Sequence, residues 1–145
     1  MFPRREPPNE LATVVEDSRL FVSAVGDPVD QWRDRWVASL EDVQLNIKRF
    51  GLLDERIKFV PGFFADSLKT LADERFALMR LDSDSYDSVE ESLVFLYPLL
   101  SSGGMVIIDD WHLVGCKQAV LNYRSRHRIS AELKTFDGNA YWVKP

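Results

Sequence analysis

The sequence predicts an α/β fold: a mostly parallel, doubly wound sheet that ends in a C-terminal antiparallel hairpin. Three observations carry this. Short apolar runs alternate with segments of helical period along most of the chain. Phe76–Leu81 and Met105–Ile108 are nearly continuous apolar runs, the pattern of strands buried on both faces. Asp137-Gly138-Asn139 separates two short β-prone runs, as in a hairpin. With 145 residues, 46% hydrophobic and 28% charged, the chain suits one globular domain and excludes a collagen-like or broadly disordered polymer.

The elements follow in order. Residues 1–10 hold three prolines among charges and read as a flexible tail; residues 11–145 read as a single domain. Leu20–Val25 is a strand stopped by Gly26-Asp27-Pro28. Gln31–Phe50 is largely helical. In it, Ser39 is placed as an N-cap, Glu41 and Asp42 favour the positive end of the dipole, and Gly51 supplies the left-handed stop. Ile57–Val60 alternates as a strand, and Asp66 can cap a short helix over Ser67–Ala72. After the strand at Phe76–Leu81, Val89, Leu93, Leu96 and Leu100 form one stripe of a helix that starts at Tyr86 and is weakened by Pro98. Gly103-Gly104 turns the chain into the strand Met105–Ile108. Cys116–His127 is the next helix, and Leu133–Phe136 with Tyr141–Val143 closes the order.

Charge narrows the function. Lys and Arg number 18 against 23 Asp and Glu, a net charge of −5, which disfavours a nucleic-acid partner. The tail has no apolar leader, and the longest apolar stretch, Leu93–Leu100, is too short to span a bilayer. The single cysteine, Cys116, cannot close an internal disulfide. A cytoplasmic protein acting on a small molecule, without membrane, is therefore expected.

Chemistry concentrates after two of the strands. Asp82-Ser83-Asp84 follows the first buried run and Asp109-Asp110 the second. In a doubly wound sheet these are carboxyl ends of strands, where ligands bind. If the strands are neighbours, the carboxylates converge and repel unless a cation neutralises them. Oxygen-only ligands suit Mg²⁺ or Mn²⁺. An Asp after a strand is also a common turn or cap residue. A strand followed by Asp82-Ser83-Asp84 also reads as the DxD element of a metal-dependent glycosyltransferase, and a non-catalytic partner or subunit is a third reading.

Three segments carry a resemblance: NIKRFGLLDERIKFVPGFFADSL, ALMRLDSDSYDSVEESLVFLYPLLSSGGMVIIDDW and CKQAVLNYR. From about Ser39 to the end, the chain resembles the macrocin O-methyltransferase (TylF-type) family, whose members methylate sugar hydroxyls on macrolide antibiotics. The resemblance implies a Rossmann-like fold, S-adenosylmethionine as methyl donor, a Mg²⁺ ion and a glycoside substrate. It implies Asp82, Asp109 and Asp110 as metal ligands, with Asp82 the catalytic residue and Asp84 able to exchange roles with it. A metal lowers the pKa of a hydroxyl and orients it toward the donor. One of Phe63 and Phe64 is implied as an adenine contact; both also read as core aromatics beneath the short helix. His112 reads as an accessory base or an ordinary loop residue, and Trp111 as a substrate wall or simple packing. Arg124–Arg128, with His127 inside it, reads as a solvated helix end. Cys116, opening a helix, is placed where a thiol pKa falls.

The chain departs from the family pattern at its N-terminal side. No first strand with a glycine-rich loop precedes Leu20, and Ser23-Ala24-Val25 stands where an acidic ribose ligand is expected. The expectation is a truncated methyltransferase-like domain: a fragment, a degenerate homologue, or one completed across an oligomer interface. Loss of a central strand exposes a sheet edge and favours a homodimer.

Overall fold

The computed structural model describes residues 39–145. The tail, the strand expected at Leu20–Val25 and the first part of the helix expected from Gln31 lie outside the described residues.

Helix α1 spans Leu40–Arg49, and Ser39 caps it as expected, accepting from the Asp42 amide at 3.1 Å. Its end is a Schellman turn. The Leu52 amide bonds the Ile47 carbonyl, the Gly51 amide bonds Lys48, and Gly51 adopts φ +68°. The helix buries no residue among those described. Ile57–Val60 forms no strand. A strand exists only beside a hydrogen-bonding neighbour, and this alternation has none among the described residues; the segment is tied down by Lys58 to Glu74 at 2.5 Å.

The short helix begins earlier than expected: α2 covers Phe64–Ser67 and continues as a 3₁₀ turn over Leu68–Leu71. Asp66 therefore sits inside the first turn and does not cap it. Strand β1 is Phe76–Leu81, and helix α3 is Tyr86–Leu96, capped by Ser85 accepting from the Ser88 amide. Pro98 narrows the following turn to 3₁₀ geometry over Tyr97–Leu99. Strand β2 then runs from Leu100 to Ile108, so Gly103-Gly104 lies inside the strand, at an irregularity. Gly104 is required there: a Cβ would stand 2.8 Å from the Leu100 side chain and the Ser101 carbonyl. Helix α4 is Val114–Arg126. Strands β3 (Lys134–Phe136) and β4 (Asn139–Val143) flank a two-residue turn with φ +47° at Asp137 and +78° at Gly138. Positive φ at both positions matches the twist of a hairpin.

The four strands lie in the order β1-β2-β4-β3, with β1 and β2 parallel and the other pairs antiparallel. Met79 and Leu81 of β1, Val106 and Ile108 of β2, and Ala140 and Trp142 of β4 point to one face. Helix α3, the 3₁₀ turn after it and helix α4 cover that face with Val89, Leu93, Tyr97, Cys116, Val120 and Tyr123. The alternate residues face away: Leu78 is 53% and Val143 47% exposed. The double burial expected of Phe76–Leu81 is therefore not present among the described residues. Lys144 ties the last strand to the end of α3, its ammonium donating to the Tyr97 and Leu100 carbonyls at 3.0 and 2.7 Å. No described helix is long and apolar enough to cross a membrane.

Candidate functional site

Parallel pairing decides the site. Leu81 and Ile108 are register partners, and the Asp109 amide extends the ladder to the Leu81 carbonyl at 2.9 Å. The two acidic segments therefore leave the sheet side by side. Each continues into a helix, so the chain must turn at once. Asp84 does so at φ +52°, a left-handed conformation that Asp tolerates better than most residues. The Leu113 amide bonds the Asp110 carbonyl at 3.0 Å and closes the second turn.

Asp82, Asp84 and Asp110 each place a carboxylate oxygen within 4.8 Å of the others. Asp109 is held differently. One guanidinium, Arg80, donates through Nη1 to Asp82 Oδ2 and through Nη2 to Asp109 Oδ1, both at 2.7 Å. Asp109 thus stands beside the cluster and is not among the three that converge. Arg80 carried no role in the sequence reading. The signal was present, because residues two apart on a strand share a face, and Asp82 follows Arg80 by two positions at the end of the strand.

Electrostatics sharpen the contrast between the two ends. Burial pushes the Asp110 carboxyl up to about 6, reinforced by its hydrogen bond with Asp84 and by the charges of Asp84, Asp82 and Asp109. Asp110 Oδ2 and Ser83 Oγ are buried with no hydrogen-bond partner among the described residues. An orphaned carboxylate oxygen beside two further carboxylates is costly unless a proton or a cation joins them. The donor set is all oxygen, which suits a small hard divalent ion.

The remaining residues of interest are placed as follows. Phe63 is 64% exposed at the N-cap of α2 and Phe64 is half-buried behind it. Neither belongs to the buried core, so their reading as core aromatics does not hold. Trp111 packs against the core edge with the Lys117 ammonium 5.4 Å from its ring centroid. His112 is exposed. Cys116 is fully buried, and its thiol is pushed up to about 12 by desolvation and then by Asp110 and Asp84. That overturns the expectation of a lowered pKa: the helix-end field is outweighed by burial and two nearby carboxylates. The basic helix end is not wholly solvated either. Arg124 is buried, stacks 4.8 Å from the Trp142 ring and donates to the Ala131 carbonyl, while Arg126 pairs with Glu90. A cavity of about 150 Å³, lined by Glu132, Lys134, Tyr141, Trp142 and Val143, lies on the hairpin and includes none of the aspartates at the strand ends.

Comparison with known proteins places this arrangement. The family model described as macrocin-O-methyltransferase (TylF) matches residues 13–144. The mycinamicin III 3''-O-methyltransferase of Micromonospora griseorubida is 46% identical over 105 residues, covering 72% of this chain and 41% of that protein. The demethyldecarbamoylnovobiocin O-methyltransferase of Streptomyces niveus is 42% identical over 108 residues, covering 73% of this chain and 41% of that protein. The chain thus spans about two-fifths of the length of the curated relatives it matches. Among solved structures, the O-methyltransferase NovP superposes with a TM-score of 0.71 at 41% identity, over 74% of this chain and 45% of that one. CalS11, a TDP-rhamnose 3'-O-methyltransferase, superposes with a TM-score of 0.57 at 21% identity, over 74% and 53%, and shares the fold. These matches are to methyltransferases and lend nothing to the glycosyltransferase reading of Asp82-Ser83-Asp84. A Rossmann-like α/β sheet with its acidic residues at adjacent strand ends, matched over 13–144, makes this chain a member of the macrocin-O-methyltransferase (TylF) family.

Proposed function

We propose that this chain carries the metal-binding part of an S-adenosylmethionine-dependent O-methyltransferase acting on a sugar hydroxyl of a small glycoside. The observation that supports it best is the convergence of Asp82, Asp84 and Asp110 at the carboxyl ends of two parallel strands. Asp82, Asp84 and Asp110 would hold Mg²⁺, and Asp109, implied as a ligand by the family resemblance, stands beside them on Arg80. The fit rests on the all-oxygen donor set and on the unpartnered Asp110 Oδ2. The cation supplies a Lewis acid that acidifies a hydroxyl, and S-adenosylmethionine supplies the methyl group.

The protein's own residues divide the work. Asp82 and Asp110 come from different strands, so together they fix one point between the strand ends. Burial and the carboxylates around it raise the Asp110 carboxyl to about 6, so the strand ends resist gathering full negative charge until a cation joins them. Phe63 and Phe64, outside the core, belong to the adenine side of the donor site in this reading. A homodimer would pair β1, which has one strand neighbour among the described residues, with its copy, and the lone buried Cys116 suits a cytoplasmic setting.

Calorimetric titration with S-adenosylmethionine, or with its demethylated product, in the presence of Mg²⁺ tests the reading. Saturable heat is expected, and it weakens when Asp82 is changed to Asn. No heat with either ligand overturns the enzyme reading and leaves a non-catalytic partner or subunit. Light scattering after size-exclusion chromatography tests the dimer.

A further inference from the structure

We infer that Arg80 is the built-in counter-charge of the acidic edge, competing with a divalent cation for Asp82 and Asp109; the inference rests on the metal reading above. Four carboxylates crowd the ends of β1 and β2, and among the described residues Arg80 is the cation paired with them. Its two terminal nitrogens engage one oxygen of each acid at equal 2.7 Å distances, so a single planar group bridges the two strands. The bridge sits on the open side of the sheet. Arg80 is register partner to Ile107, and both point away from the helices that bury Met79, Leu81 and Val106. Its side chain is 50% exposed, so it is free to swing away without disturbing the core.

The bridge straddles the grouping of the acids: it holds Asp82, one of the three that converge, and Asp109, which stands outside them. The three carboxylates that converge include Asp110 and Asp84, which Arg80 does not touch, and exclude Asp109, which it holds by Oδ1. A cation that takes Asp109 must share it with the guanidinium or displace Arg80 from Oδ1. One that takes Asp82 must share it or displace Arg80 from Oδ2. Arg80 therefore keeps the strand ends assembled before the cation arrives and weakens the grip on the cation afterwards. A purely structural strut would do the first only, and its removal would loosen the site and weaken binding.

The sign of the change separates these roles. The probe is Mn²⁺ alone, titrated calorimetrically into the whole chain and into R80Q and R80K, with circular dichroism to verify folding. R80Q should bind Mn²⁺ about five-fold more tightly, the scale set by removing two half-exposed ion pairs. R80K keeps the charge but lacks the fork that spans two carboxylates, so its gain should be about two-fold. The Mn²⁺-induced rise in melting temperature should grow in the same order. Unchanged or weaker binding by R80Q, or an equal gain in R80K and R80Q, overturns the inference while leaving the metal site standing. If R80Q does not fold, an R80K affinity equal to or below that of the unaltered chain is enough to overturn it. No Mn²⁺ binding by the unaltered chain or either variant removes the metal site itself, and the inference with it.

Discussion

The two faces of one sheet behave as different materials. On the helix side, Val106, Ile108 and Ala140 have no exposed surface and Trp142 has 1%. On the opposite side, one residue away along the same strands, Leu78 is 53% and Val143 47% exposed. Burial of a large side chain contributes roughly 1.5–3 kcal/mol relative to leaving it in water, so stability is concentrated on the first face. The second face ends in the Arg80–Asp82–Asp109 bridge, whose exposed ion pairs contribute on the order of 0.2–1 kcal/mol each. The lesson is a separation of tasks: the buried alternation sets the register of β1 against β2, and that register delivers the acids to one place.

The comparison breaks most readily at its stable end. Trp142→Ala, which removes the packing partner of Arg124 and Tyr97, should lower stability by about 3–5 kcal/mol in chemical denaturation. A smaller loss, about 1–3 kcal/mol, is expected for Gly104→Ala, because the new Cβ must displace both the Leu100 side chain and the Ser101 carbonyl. Gly103→Ala meets no atom within 4 Å but must hold φ +77°, and should cost about 1 kcal/mol.

The acidic edge sets a pH dependence of opposite sense to that of a salt-bridged carboxylate. The folded pKa of Asp110 is raised from 3.8 to about 6, so the folded state binds the extra proton between those values. Stability from this group is therefore full below about pH 4 and is lost as pH rises through about 6. Denaturation across pH 4–8 without divalent ions should show this slope, and Asp110→Asn should flatten it. Smallest of all, Leu78→Ser on the open face should change stability by less than about 1 kcal/mol, if nothing outside the described residues covers that position. A loss comparable to that of Trp142→Ala would show that the two faces are equally buried and would end the contrast.

Legibility in the sequence followed the range of the forces involved. Ser39, Gly51 and Asp137-Gly138 were readable because caps and tight turns are settled by neighbours a few residues away. Asp66 was misplaced because α2 starts at Phe64 without any side-chain cap, leaving no local signal. Ile57–Val60 carried strand-like alternation yet pairs with nothing described, since pairing belongs to the sheet and not to the segment. Arg124 looked like a solvated charge in a basic run and instead lies buried under Trp142, 18 positions on, a contact no local pattern encodes. At the site, the acids were visible one by one, but their division was not: three converge and the fourth is claimed by Arg80.

The amino-acid order alone determined the alternation of strands and helices, the acids at strand ends and the family signature, because each rests on residues adjacent in the chain or at short fixed spacing. Tertiary structure decided which strand lies beside which, which face of the sheet the helices cover, and which carboxylate pairs with a cation. These depend on through-space distances of a few ångströms between residues nearly thirty positions apart, and Coulomb and packing forces act on those distances, not on sequence separation.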